Sequence, residues 1–169
     1  DVALKLIRDE AFARDQLRYL RHEFRLMCDW RHDHVTRVFD FERLHGTGKF
    51  FFTEEMVFGQ DFRSAVHGMA LAELVPVTVQ LCRALAFVHS REIIHRDLKP
   101  RNTVVEIGPR GPHLELIDFH LAREGARASG PGIEGTLGYM APEVIQGQEF
   151  DRRADVYALG VMLYEALAG

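Results

Sequence analysis

The spacing of apolar residues shifts from mostly alternating to mostly helical along this chain, and that shift limits the fold more than any single residue does. Up to Val57 the pattern is mostly alternating. Residues 2–8, 35–42 and 49–57 place successive side chains on opposite faces, as strands do. Ala3, Lys5 and Ile7 then share one face, and Gly46-Thr47-Gly48 predicts a hairpin turn. One helix interrupts this region at residues 12–29, where Leu17, Leu20, Phe24 and Met27 recur at helical spacing. Glu23 lies on that same inward face, and a carboxylate there needs a cationic partner. Gly59 breaks the alternation. Beyond it, residues 71–90 carry Leu74, Thr78, Leu81, Leu85 and Val88 along one face, with Pro76 expected in the first turn. A second hairpin is expected from 103–107 and 113–117 around Pro109-Arg110-Gly111-Pro112, and a mobile loop over the Gly-, Ala- and Ser-rich residues 124–135. From Asp155 to Leu167 the chain is apolar nearly all round, which predicts a buried helix. Strands with one helix, followed mostly by helices, make an α+β arrangement of two lobes, residues 1–57 and 58–169.

Composition narrows the function. A net charge of −4 argues against a broad nucleic-acid-binding surface. No run approaches the roughly 18 apolar residues of a membrane helix, so no membrane segment is expected. Cys28 and Cys82 are two distant thiols, which suits a reducing, cytoplasmic setting and buried packing roles. His32-Asp33-His34 lacks the second ligand pair of a zinc site and is expected to form a turn. The chain opens inside one apolar alternation and stops inside another apolar segment, so both ends look cut.

The chemistry-bearing residues are concentrated in His95-Arg96-Asp97-Leu98-Lys99-Pro100-Arg101-Asn102, a loop after a helix that holds a carboxylate, an ammonium and an amide. A second carboxylate, Asp118, follows the strand-like Leu114-Glu115-Leu116-Ile117. Oxygens from Asn102 and Asp118, completed by phosphate, suit Mg2+, which takes one or two protein carboxylates and leaves its other positions to water and phosphate. Asp97 is then free to orient a hydroxyl nucleophile and accept its proton, and Lys99 can neutralise a moving phosphoryl group.

These motifs resemble, in order and along the whole chain, the catalytic domain of eukaryotic-type serine/threonine protein kinases. Val2-Ala3-Leu4-Lys5 resembles the strand-lysine motif, His95 to Asn102 the catalytic loop, and Asp118-Phe119-His120 the magnesium-binding Asp-Phe-Gly. Ala141-Pro142-Glu143 resembles the end of the activation segment, and Asp151 to Gly160 the start of the central C-lobe helix. The resemblance implies a bilobal kinase fold. Its glycine-rich hairpin would precede residue 1, and its last helices would follow Gly169. It further implies ATP and Mg2+ as cofactors, a protein substrate, and fused regulatory domains outside the chain.

By the same resemblance, Lys5 holds the α- and β-phosphates and pairs with Glu23. Ala3 packs on adenine, and Val104 closes the adenine pocket. Backbone groups of Glu55 and Val57, in the hinge-like Thr53-Glu54-Glu55-Met56-Val57, bond the base, and Asp61 contacts the ribose. Met27, Val38, His95 and Phe119 form the stack that links the lobes. Lys99 and Gly135-Thr136-Leu137-Gly138-Tyr139 resemble the serine/threonine subclass, with Thr136 bonding near Asp97 and Lys99. Arg96 beside Asp97 implies control by a phosphate on the activation loop, where Ser129 offers a hydroxyl. Two residues depart from the pattern. His120 replaces a glycine, and Glu54, an acid at the back of the adenine pocket, needs a partner or water. Those departures leave a second function open, a pseudokinase that binds nucleotide or acts as a scaffold.

Overall fold

The computed structural model describes residues 1–6, 24, 27–46, 49–119, 123–124 and 135–168. They divide into two compact units, Asp1–Val57 and Phe58–Gly169.

In the first unit, β1 (Val2–Leu6), β2 (Val38–Arg43) and β3 (Phe50–Glu55) form an antiparallel sheet in the order β1-β3-β2. Its register fixes which side chains share a face, because directly opposed residues point the same way. Ala3 opposes Glu54, Lys5 opposes Phe52, and Phe41 also opposes Phe52. Phe24, in the described part of the predicted 12–29 helix, packs on this face, with its ring 4.5 Å from Phe52 and 5.2 Å from Phe41. Phe24, Met27, Val38, Phe41 and Phe52 are all buried and form the core of the unit. The Leu44 N–H bonds the Lys49 carbonyl at 2.7 Å and closes the β2–β3 hairpin. Gly46 has φ +82° there, a conformation that favours glycine.

One difference from the predicted elements has a local cause. The strand expected at 35–42 starts at Val38. Residues 32–35 make a tight turn closed by a His32–Val35 bridge, with the His34 N–H on His32 Nδ1, and the register then shifts between Val38 and Asp40. The cysteines do not take the buried positions expected of them: Cys28 is half-buried, with its Sγ 3.1 Å from the Phe39 carbonyl, and Cys82 is exposed.

In the second unit, β4 (Gln60–Asp61), β6 (Thr103–Gly108) and β7 (Gly111–Leu116) form one sheet, and β5 (Ile93–Ile94) pairs with β8 (Arg123–Glu124). The helices are α1 (Phe62–Val66), α2 (Leu71–His89), α3 (Pro142–Ile145) and α4 (Arg153–Ala168). The β6–β7 hairpin is tighter than expected: Gly108 opposes Gly111, so only Pro109 and Arg110 form the turn. Pro112 is tolerated because β7 is an edge strand. Gln80 of α2 covers that edge, donating to the Pro112 carbonyl at 2.9 Å and accepting the Leu114 N–H at 2.7 Å.

Helix α2 buries Leu74, Val77, Leu81, Ala84, Leu85 and Val88 and packs on β7. Pro76 is its sixth residue and so lies in the second turn, not the first, where it removes one intrahelical N–H. By length and composition α2 could cross a membrane, with a mean hydropathy of 1.6, contrary to the expectation that no segment would qualify. Its buried stripe lies instead against the sheet of its own unit. Helix α4 also departs from expectation. It buries the stripe Ala154, Asp155, Ala158, Leu159 and Met162, while Val156, Tyr157, Tyr164 and Leu167 are exposed.

Candidate active site

The catalytic-loop residues are positioned by three features of the second unit. The loop leaves β5, passes through a short 3-10 turn at Pro100–Asn102, and enters β6. Beneath it lies Asp155 of α4, which is 1% exposed. One Asp155 oxygen accepts the Arg96 N–H at 3.0 Å. The other accepts the His95 N–H at 2.9 Å and contacts His89 Nε2 at 2.7 Å. A buried carboxylate is stable only when bonded in this way.

Asp97 is 4% exposed, and its carboxylate joins three polar side chains. Oδ2 takes Lys99 Nζ at 2.6 Å and Asn102 Nδ2 at 3.0 Å. Oδ1 takes the Thr136 hydroxyl at 3.0 Å, and Lys99 Nζ also reaches Thr136 Oγ1 at 3.0 Å. Asn102 Nδ2 further donates to the Asp97 carbonyl at 2.9 Å. Gly135 lets Thr136 approach: a Cβ at Gly135 would lie 3.1 Å from the Arg96 carbonyl and 3.0 Å from Met140 Cε. Two non-glycine residues here hold left-handed backbone, Arg96 at φ +69° and Asp118 at φ +68°. Such conformations cost about 1–2 kcal/mol each and persist where the surroundings hold them. Aspartate is a type that tolerates this conformation, but nothing in the residue type signals it at Arg96.

Asp118 follows Ile117, whose N–H bonds the Asn102 carbonyl at 2.9 Å. The two magnesium-ligand candidates therefore leave from adjoining backbone. With Asn102 Nδ2 committed to Asp97, the amide oxygen is its remaining polar atom, and with the Asp118 carboxylate it makes the hard-oxygen donor set that Mg2+ takes. The residues present fit that ion.

His95 is fully buried. Its Nε2 lies 3.1 Å from the Ile117 carbonyl, and its ring meets Phe119 edge-on at 5.0 Å. Burial holds the imidazole below the ordinary histidine range, against the upward pull of Asp155, the Ile117 carbonyl, Asp97 and Asp118. Asp61 pairs with Val104 across β4 and β6 and caps α1 by accepting the Ser64 N–H and hydroxyl at 3.2 and 2.8 Å. Partial burial pushes the Asp61 carboxyl up, but the Ser64 and Arg63 hydrogen bonds and the Arg101 charge outweigh it and hold it low. Tyr139 donates to Glu165 at 2.8 Å, and burial together with that carboxylate raises the phenol to about 12. The Arg96 guanidinium sits 5.3 Å over the Phe150 ring.

In the first unit, Ala3 and Lys5 are half-buried on the inner face of β1. The Glu55 N–H bonds the Arg37 carbonyl at 2.8 Å, and Val57 follows β3 half-buried. Lys5 Nζ lies 2.7 Å from Glu54 Oε1. That contact supplies the partner Glu54 needs, and it was not expected from the sequence. Only the β1–β3 register, unknown beforehand, reveals that Lys5 and Glu54 are diagonal neighbours. Glu23, the partner the resemblance implies for Lys5, lies outside the described residues, as do His120 and Ser129.

The same ordered set of residues distinguishes a known family. Residues 1–169 match the protein kinase domain family throughout. The chain belongs to the protein kinase domain family. Among its relatives is the serine/threonine-protein kinase fused of Drosophila melanogaster, 34% identical over 99% of this chain and 21% of the relative. Serine/threonine-protein kinase ULK3 of Homo sapiens is 31% identical over 99% of this chain and 36% of its own length. PknB of Mycobacterium leprae is 33% identical over the full chain and 28% of its own length. The chain thus spans between about a fifth and about a third of these kinases. A chain of the yeast RNA Pol II CTD kinase CTDK-1 complex has the same fold, with a TM-score of 0.74 at 22% identity, over 99% of this chain and 54% of that one. The α+β arrangement expected from the order of elements, and the kinase fold implied by the resemblance, are therefore the fold of this protein.

Proposed function

We propose that this kinase domain serves a protein that transfers the γ-phosphoryl group of Mg-ATP to serine or threonine hydroxyls of a protein substrate. The observation that carries the proposal is the Asp97 carboxylate, buried and held by Lys99, Asn102 and Thr136. Oδ1 carries one of these hydrogen bonds and Oδ2 carries two, so Oδ1 is the oxygen with room for an incoming hydroxyl. Asp97 aligns that hydroxyl and takes its proton as the new O–P bond forms and the bond from the γ-phosphorus to the β,γ-bridging oxygen breaks, releasing ADP. Lys99, already between Asp97 and Thr136, offsets negative charge gathering on the transferred group. Asn102 and Asp118 hold Mg2+, and Lys5 holds the α- and β-phosphates. Ala3, Val104 and the backbone of Glu55 and Val57 serve adenine, and Asp61 the ribose. When bound, Mg2+ neutralises phosphate charge and orients the nucleotide. The longer relatives support further domains in the parent protein. A cytoplasmic location suits the nucleotide supply and the cysteine usage.

The test is phosphate transfer from radiolabelled ATP to a generic protein substrate by the full-length protein. Asp97→Ala should lose most transfer and still bind nucleotide. Equal turnover by wild type and Asp97→Ala would sink the assignment, and nucleotide binding without transfer by the wild type would favour the pseudokinase.

A further inference from the structure

A catalytic lysine that handles phosphate has to be available to it, and in this protein Lys5 is already engaged by an anion. Glu54 Oε1 lies 2.7 Å from Lys5 Nζ. The pairing is built into the sheet. Ala3 opposes Glu54 and Lys5 opposes Phe52, so the two charges are diagonal neighbours on one face of β1 and β3. The partners differ in freedom: the Glu54 side chain is 4% exposed and the Lys5 side chain 33%. Glu54 is therefore a fixed anion, while the ammonium, on a flexible stem, reaches solvent. Lys5 Nζ also lies 5.7 Å from the centre of the Phe52 ring, beside the packed Phe24–Phe52–Phe41 group that anchors this face.

We propose that Glu54 is a positioning residue that holds the Lys5 ammonium on the sheet and competes with nucleotide phosphates for it, making ATP affinity lower than the rest of the site would allow. This rests on the kinase reading above, in which Lys5 takes the α- and β-phosphates. The competition has two parts. Phosphate must draw the ammonium away from a carboxylate in contact with it, and it then sits near a buried negative charge, where like charges repel. A nucleoside without phosphates meets neither cost. The charge of Glu54, as distinct from its place at the back of the adenine pocket, thus bears on the phosphate end of the ligand.

The experiment is equilibrium binding of Mg-ATP and of adenosine to the full-length protein, comparing wild type, Glu54→Gln and Glu54→Asp. Glu54→Gln keeps the shape and removes the charge. It should tighten Mg-ATP binding on the order of tenfold, the effect of removing an ion pair between the exposed and buried extremes. Adenosine affinity should stay within about twofold, and Glu54→Asp should restore the weaker ATP binding of the wild type. Unchanged or weakened ATP binding in Glu54→Gln overturns the proposal. Parallel changes for ATP and adenosine overturn it too, because they would mark Glu54 as a wall of the adenine site. Either result leaves the kinase reading standing. If neither wild type nor variants bind Mg-ATP at all, the kinase reading falls and this proposal with it.

Discussion

Replacing Asp155 by alanine should loosen the catalytic loop before it unfolds the protein. The carboxylate accepts the His95 and Arg96 N–H groups at 2.9 and 3.0 Å and contacts His89 Nε2 at 2.7 Å. Alanine leaves a buried and a half-buried backbone donor without an acceptor, each costing about 1–3 kcal/mol. It also removes what holds Arg96 at φ +69°, a conformation already unfavourable by about 1–2 kcal/mol. Because the released loop can relax that strain and hydrate part of the lost bonds, a net local cost of about 3–4 kcal/mol is expected. At about 1.4 kcal/mol per factor of ten, amide exchange across residues 94–97 should accelerate by about 10²- to 10³-fold. Native-state hydrogen exchange by mass spectrometry on the full-length protein reads this directly, with α2 amides as the internal reference for global opening. Asp155→Asn keeps one acceptor oxygen and should show about half the effect in free energy. Protection of residues 94–97 within about threefold of wild type in a folded Asp155→Ala variant would refute the reasoning. So would an equal loss at α2, because the anchor would then be global.

The buried His95 gives a pH prediction. Its folded-state affinity for protons lies below the ordinary value of 6.5, so between the two values the unfolded chain binds more protons. The stability contributed by keeping it neutral is complete above about 6.5 and is lost as pH falls below that. Denaturant unfolding at pH 7.5 and pH 5.5 should show a drop in stability that His95→Leu reduces, and an equal drop in the variant would contradict the assignment. Gly135→Ala should reduce turnover by about tenfold or more with little change in nucleotide affinity, because the new Cβ meets the Arg96 carbonyl at 3.1 Å and Met140 Cε at 3.0 Å beside Asp97. Steady-state kinetics would check this, and unchanged kcat would show that the loop accommodates the methyl group.

Where the sequence sufficed, the relevant contacts are short-range or periodic. Lys99 is two residues from Asp97 and Asn102 five, so all three fall within a single short loop. Helix α2 is legible because its buried residues repeat at helical spacing over five turns. The misses at the site share a different cause, since they depend on where a distant segment lands. Pairing of Glu54 with Lys5 requires the β1–β3 register, and a slip of one residue would put Glu54 on the opposite face. Asp155 is recognisable as the start of a helix, yet its three hydrogen bonds reach 59 to 66 residues back along the chain. Residue type is equally silent about the left-handed backbone of Arg96, because arginine rarely adopts it unless its surroundings compel it, whereas Asp118 belongs to a type that tolerates it. For Arg96 the compelling contact is visible: its own N–H bonds Asp155. The loop's chemistry is thus written locally, while the geometry that makes Asp97 usable depends on a carboxylate 58 residues further on, which is why the Asp155 and Asp97 variants should fail in different ways. Asp97→Ala removes a reacting group from an ordered loop, whereas Asp155→Ala leaves every reacting group present in a loop that no longer holds them.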